Sequence, residues 1–103
     1  MDFSVIIATY NRRELLQRVL LALRNQTLDP ERFEIIVVDD GSTDGTADAL
    51  ASSGLRVFSQ ANRGPAAARN LGLRHARGRW AVMTDDDTLP SQGWLASLEK
   101  AIT

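Results

Sequence analysis

The 103 residues are 44% hydrophobic and 24% charged, which supports one folded core and is too apolar for a disordered tail. The absence of cysteine excludes thiol nucleophiles, Cys-based zinc sites and disulfide scaffolds, and twelve basic against thirteen acidic residues lack the basic footprint of a nucleic-acid binder. No apolar run approaches the ~18 residues of a membrane span, and Met1-Asp2-Phe3-Ser4 lacks the basic start of a secretion signal, so the expectation is a single cytoplasmic domain over 1–103 with no nucleic-acid partner.

Phe3 to Thr9 is a short β-branched apolar run without polar alternation, the pattern of a strand covered on both faces. From Arg12 to Gln26, Leu15, Leu16, Val19, Leu20 and Leu23 recur at helical spacing, with Asn11 where an N-cap belongs. After the Asp29-Pro30 break, Phe33 to Val38 is a second buried strand that runs into Asp39-Asp40-Gly41-Ser42. Ser42 or Thr43 then caps a helix through about Ser53, with Gly54 closing it. Leu55 to Ser59 reads as a third strand, and Gly64-Pro65 opens a helix that ends by Gly78. Arg79 to Thr84 is a fourth strand entering Asp85-Asp86-Asp87, and Trp94, Leu95, Leu98, Ala101 and Ile102 make the stripe of a last helix.

This alternation predicts an α/β fold: a three-layer, Rossmann-like open sheet, mainly parallel, in strand order 3-2-1-4. Ligands of such sheets sit beyond the carboxyl ends of the strands. The clusters Thr9-Tyr10-Asn11, Asp39-Asp40-Gly41-Ser42, Asn62-Arg63-Gly64 and Asp85-Asp86-Asp87 all follow strands, so they should converge on one rim. The dinucleotide fingerprint and the P-loop are both absent. An acidic rim suits a nucleotide only if a divalent cation bridges the carboxylates and the phosphates. In an extended turn Asp85 and Asp87 lie on one side and converge on one ion, leaving Asp86 to face another group. No acid occurs between Asp48 and Asp85, a stretch that holds Arg56, Arg63, Arg69, Arg74, Arg77 and Arg79, of which Arg63 and Arg69 flank the rim.

Plainer readings stand beside these. Asp39 and Asp40 can form an Asx-turn, Asp85 to Asp87 a solvated acidic turn, and Asn11 a simple helix cap. His75 lacks any partner at ligand-like spacing, and Trp80 and Trp94 fall within apolar patterns that suit core positions.

Ser4 to Asn11, Ile35 to Thr46, Asn62-Arg63-Gly64 with Ala68-Arg69-Asn70, and Asp85-Asp86-Asp87 together resemble the family 2 glycosyltransferases of the GT-A fold. The resemblance covers essentially the whole chain, in order, with Ala8 where the family usually has proline. It implies a domain that binds a nucleotide-diphospho-sugar, usually a UDP-sugar, with Mg²⁺ or Mn²⁺ at the D-x-D. Carried over, Ala8, Thr9 and Tyr10 line the nucleoside pocket, and Asp39 and Asp40 contact base and ribose. Arg69 and Asn70 support the site, Asp85 faces the ribose or donor sugar and joins the metal ligands, Asp87 ligates the metal, and Asp86 assists. The resemblance also implies that the carboxylate base of inverting members lies downstream of this chain, whose later residues offer only Glu99. The chain is therefore expected to be the donor half of a longer enzyme acting on an acceptor sugar or lipid-linked sugar, at the cytoplasmic face of a membrane. The apolar fourth strand at a sheet edge, or the stripe of the last helix, is expected to support a homodimer. The competing readings are a nucleotidyltransferase, a non-catalytic nucleotide- or partner-binding module and, more remotely, a receiver domain.

Overall fold

Two strands with apolar centres, Val5 to Ala8 and Ile35 to Val38, form the middle of the sheet: β1 (Phe3–Thr9) and β2 (Phe33–Asp39). The structure, a computed structural model, describes residues 1–102. The remaining elements are α1 (Arg13–Arg24), α2 (Thr46–Leu50), β3 (Arg56–Ser59), α3 (Pro65–His75), β4 (Trp80–Met83) and α4 (Trp94–Ile102), with one 3-10 turn at Pro30–Arg32 before β2. The sheet order is β3-β2-β1-β4, as the alternation predicted, and every pairing is parallel. Among the described residues no helix is long and apolar enough to cross a membrane.

Alternate side chains of the strands feed two cores. Phe3, Val5 and Ile7 of β1 with Phe33, Ile35 and Val37 of β2 pack against Leu16, Val19, Leu20 and Leu23 of α1, Leu50 of α2 and Leu95 of α4. On the opposite face Ile6, Ile36 and Val38 meet Ala68 and Leu71 of α3, which makes the third layer. Gly72 permits this contact, because a Cβ there would lie 2.6 Å from Ile6 Cγ2.

Several local expectations change. Leu15 is exposed on α1, outside the stripe that the pattern suggested. Asn11 does not cap α1: its φ of +51° puts it in the left-handed region, and its side chain turns to the next loop. The expected helix through Ser53 is the short Thr46–Leu50, with Gly45 rather than Ser42 or Thr43 at its N-cap and the Thr46 N–H donated to Asp44 Oδ1 at 3.2 Å. It ends there because the Ser53 hydroxyl donates to the Leu50 carbonyl at 2.7 Å and accepts the Leu55 N–H at 3.2 Å, an alternative to further helix. Trp80 is 44% exposed on the edge strand β4, which corrects its assignment to the core, whereas Trp94 packs against the larger core. Leu95 is fully buried and Trp94 and Leu98 pack against the same core, so much of the α4 stripe serves this chain's own core, while Ile102 at its end is 42% exposed.

The amino end of the sheet is closed by a polar network that the sequence did not reveal. The buried Ser4 hydroxyl donates to Glu34 Oε2 at 2.6 Å and accepts the N–H groups of Arg77 and Gly78 at 3.1 and 2.7 Å. Glu34 also accepts from the Arg77 N–H at 2.7 Å and from Arg56 at 2.9 Å, and the same Arg56 nitrogen reaches the His75 carbonyl at 2.6 Å. Burial opposes ionisation of Glu34, but the hydrogen bonds from Ser4, Arg77 and Arg56, with the Arg56 charge, outweigh it and hold its pKa below the ordinary 4.5. Its contribution to stability is thus complete above that unfolded value and drains away as pH falls through the lower folded one. Urea melts between pH 3 and 7 should show an acid-side loss of stability that Glu34→Gln flattens, and an unchanged acid limb in the variant would remove Glu34 from the account.

Candidate functional site

The parallel register sets Thr9 beside Asp39 and Asp39 beside Ser59, so the loops after β1, β2 and β3 leave the sheet at one level. The loop after β4 joins them through the Thr84 N–H, which donates to the Ile6 carbonyl at 3.2 Å, and through Asp86. At this rim a cleft of about 370 Å³ is lined by Ala8, Thr9, Tyr10, Arg12, Asp40, Pro65, Arg69 and Asp85 to Asp87. Its volume falls in the range of small-molecule sites.

The acids of the cleft divide by environment. Asp40, 5% exposed, accepts from Gln60 Nε2 at 2.8 Å, from the Arg63 N–H at 2.8 Å and from the Gly64 N–H at 3.0 Å. Burial raises the cost of its charge, but these donors prevail and its pKa is lowered, so it stays ionised and fixes the entry to α3. Asp86, 7% exposed, accepts from the Thr9 hydroxyl at 3.0 Å and from Arg12 at 3.2 Å. Asp85 and Asp87 keep open carboxyl groups, 65% and 46% exposed, with Arg69 3.7 Å from the first and Arg12 3.0 Å from the second. Asp86 is thus the buried member of the triplet, sharing the Arg12 nitrogen with Asp87, while Asp85 faces Arg69. Among the described residues no three His, Asp or Glu side chains form a protein-only metal cage.

Of the other residues singled out from the sequence, Asp39 is buried behind the cleft, where its Oδ1 accepts the Ser42 N–H at 3.1 Å in an Asx-type turn. Asn70 is exposed on α3 outside the lining, and Arg63 contributes its backbone N–H to Asp40 while its side chain is exposed. His75 stacks on Phe58 with ring centroids 4.0 Å apart, far from any site role. Glu99 pairs with Arg32, which also binds Asp2, at the amino end of the sheet and away from the rim.

Two features escaped sequence reading. The first two rim loops are clasped together: the Asn11 N–H donates to Ser42 Oγ at 2.9 Å, the Thr43 N–H to Asn11 Oδ1 at 2.8 Å, and the Arg13 N–H to Asp44 Oδ2 at 3.1 Å. Asp44 therefore accepts the first N–H of two helices, Arg13 of α1 and Thr46 of α2, and bonds from the Thr46 hydroxyl and nearby N–H groups lower its pKa despite some desolvation. The second is Arg12, which stands at the N-cap position of α1 and reaches across the cleft to the acidic loop. Its only sequence signal was its place directly after Thr9-Tyr10-Asn11 in a rim otherwise rich in acids.

The sequence profile described as "Glycosyl transferase family 2" matches residues 4–103. The chain belongs to that family. It is 42% identical to the uncharacterized glycosyltransferase YfnE of Bacillus subtilis (strain 168), over 98% of this chain and 27% of YfnE. The family 2 chain superimposes on S. aureus TarS 1-349 in complex with UDP with a TM-score of 0.92 and 32% identity, covering 99% of this chain and 32% of the TarS chain. The mannosyltransferase PcManGT from Pyrobaculum calidifontis, in complex with GDP-Man and Mn²⁺, matches with a TM-score of 0.79 and 34% identity over 98% of this chain and 31% of its own. This chain thus spans about a quarter to a third of the length of these relatives. Family membership sets aside the nucleotidyltransferase and receiver readings.

Proposed function

We propose that the rim cleft binds the nucleoside diphosphate of a nucleotide-sugar donor together with Mg²⁺ or Mn²⁺, and that the chain supplies the donor side of a glycosyl transfer to an acceptor hydroxyl. The observation that carries this reading is the meeting of Ala8, Thr9, Tyr10, Arg69 and the Asp85 to Asp87 triplet in one cleft of a family 2 fold. Relatives of closely similar structure hold UDP or GDP-Man with Mn²⁺, which supports both the ligand class and the cation.

The donor set fits such an ion. Two accessible carboxylates, with Asp86 between them held by Thr9 and Arg12, suit a hard cation that takes one or two protein oxygens and completes its shell with phosphate oxygens and water. Asp87 and Asp85 would hold it, and when bound it would offset the negative charge that grows on the departing diphosphate. Arg69 adds a planar guanidinium suited to bidentate phosphate contact, with Asn70 next to it in α3 but outside the lining. Ala8 and Tyr10 offer the wall for the nucleoside, and Thr9 fixes Asp86 under it. Asp40 has three of about four acceptor positions filled, which leaves room for one ribose hydroxyl, while Asp39 acts from behind by holding the Ser42 turn.

No described residue is assigned as the base for the acceptor. The cleft acids are committed to the donor side, and Glu99 is paired at the other end of the sheet. We propose that inversion and acceptor binding depend on residues outside the donor cleft.

Calorimetric titration with UDP, GDP and ADP, each with and without Mn²⁺, tests the proposal. Binding of a nucleoside diphosphate that requires the cation supports it, and absence of binding by all three with Mn²⁺ present contradicts it. Self-association is proposed only through the β4 edge, where Trp80 and Met83 are 44% and 41% exposed. Light scattering should find a dimer that Val82→Lys disrupts, and a monomer at high protein concentration would exclude it.

A further inference from the structure

Arg12 occupies an unusual place for a positive charge. It belongs to the loop after β1, yet its Nη1 is shared between Asp86 Oδ1 at 3.2 Å and Asp87 Oδ2 at 3.0 Å in the loop after β4. The two partners are unequal. Asp86 is buried and also accepts from Thr9, so its geometry is fixed from two sides. Asp87 is 46% exposed, and among the described residues only Arg12 holds its carboxylate. The Arg12 side chain is itself 48% exposed and can withdraw from one partner while keeping the other.

We propose that Arg12 is a positioning residue that acts as a tethered competitor for the divalent cation: it holds Asp87 before donor arrives, then keeps Asp86 and yields Asp87 to the ion. This rests on the donor-site reading above, and extends it by assigning the setting of metal affinity to a residue of the first loop. The charges explain the design. Asp40, Asp85, Asp86 and Asp87 carry four negative charges into one cleft against two positive ones from Arg12 and Arg69. A single tethered charge relieves the repulsion between Asp86 and Asp87 in the free protein. It also taxes any divalent ion that arrives without a diphosphate, because that ion must approach a guanidinium already on its ligand. An ion arriving with a diphosphate brings negative charge that the released guanidinium can face, so metal and nucleotide are favoured as a pair.

Titration of the 103-residue chain with Mn²⁺ alone, read by the loss of the free-ion electron paramagnetic resonance signal, tests this. Arg12→Ala should tighten Mn²⁺ binding about tenfold, the effect of removing one charge several ångströms from a divalent ion at partial exposure. Arg12→Lys should stay within about twofold of the wild type because it keeps the charge. Arg12→Gln, which retains a hydrogen-bond donor for Asp86, should tighten binding as Arg12→Ala does, and guards against a result caused by misfolding of the alanine variant. Equal or weaker Mn²⁺ binding in both neutral variants, with the wild type binding, would overturn the role of Arg12 alone. No Mn²⁺ binding by any of the four proteins, with or without UDP, would overturn the donor-site reading along with it.

Discussion

Asp87→Asn is expected to weaken Mn²⁺-supported UDP binding by about 2 kcal/mol or more, roughly 30-fold, at matched salt and metal. Asp87 is the accessible end of the triplet, its carboxylate is held only by Arg12 among the described residues, and the fold does not depend on it. The amide keeps the shape and removes the charge, so the loss falls on the interaction with the cation. Calorimetry with Mn²⁺ checks it, and unchanged affinity would mean that the metal ligand lies elsewhere. The same change at Asp86 would not be an equivalent probe, because that carboxylate is buried against Thr9 and Arg12 and its loss would disturb the loop itself.

Gly78→Ala is expected to cost about 3 kcal/mol or more of stability and to lower the thermal midpoint by about 10 °C or more. A Cβ at Gly78 would lie 2.5 Å from the Phe3 carbonyl carbon and 2.6 Å from the Ser4 nitrogen. Both atoms belong to the backbone of the central strand and have no rotamer through which to retreat. The Gly78 N–H also donates to the buried Ser4 hydroxyl, so a shift of this segment would break the network around Glu34. Gly93→Ala is the control: a Cβ there meets nothing within 4 Å, and the effect should stay within about 0.5 kcal/mol. Thermal and urea melts of the two variants decide the matter, and similar stabilities would show that β4 can move away from β1 at little cost.

Gly78 also illustrates what a linear reading can and cannot reach. Its position after a helical stretch marked it as a helix stop, which is a local property, whereas its close approach to β1 depends on a strand seventy-odd residues earlier. The strands and the sheet order are legible because Val5 to Ala8 and Ile35 to Val38 are continuous apolar runs, and continuous runs need cover on both faces. The rim was legible because polar clusters followed each of them. The errors lie where side chains of one loop serve another. Asn11 was read as a cap for its own helix, but Asp44 does that work from the next loop, and Asn11 binds Thr43 in return. Arg12 looked like the first residue of a helix because nothing local separates it from Arg13, and only the arrangement of β1 beside β4 brings it to Asp86 and Asp87. Trp80 was read as core from its apolar neighbours, but burial on an edge strand depends on what lies beyond the edge.

The cleft at the carboxyl ends of the strands is proposed to hold a nucleoside diphosphate with a divalent cation. Backbone amide NMR of the ¹⁵N-labelled chain, titrated with UDP in the presence of Mg²⁺, tests it residue by residue. Shifts are expected to concentrate at Ala8 to Arg12, Asp40, Arg69 and Asp85 to Asp87, with the Ser4, Glu34 and Gly78 network unmoved at the opposite end of the sheet. Shifts centred on that opposite end, or none at any residue of the cleft at saturating UDP and Mg²⁺, would contradict it.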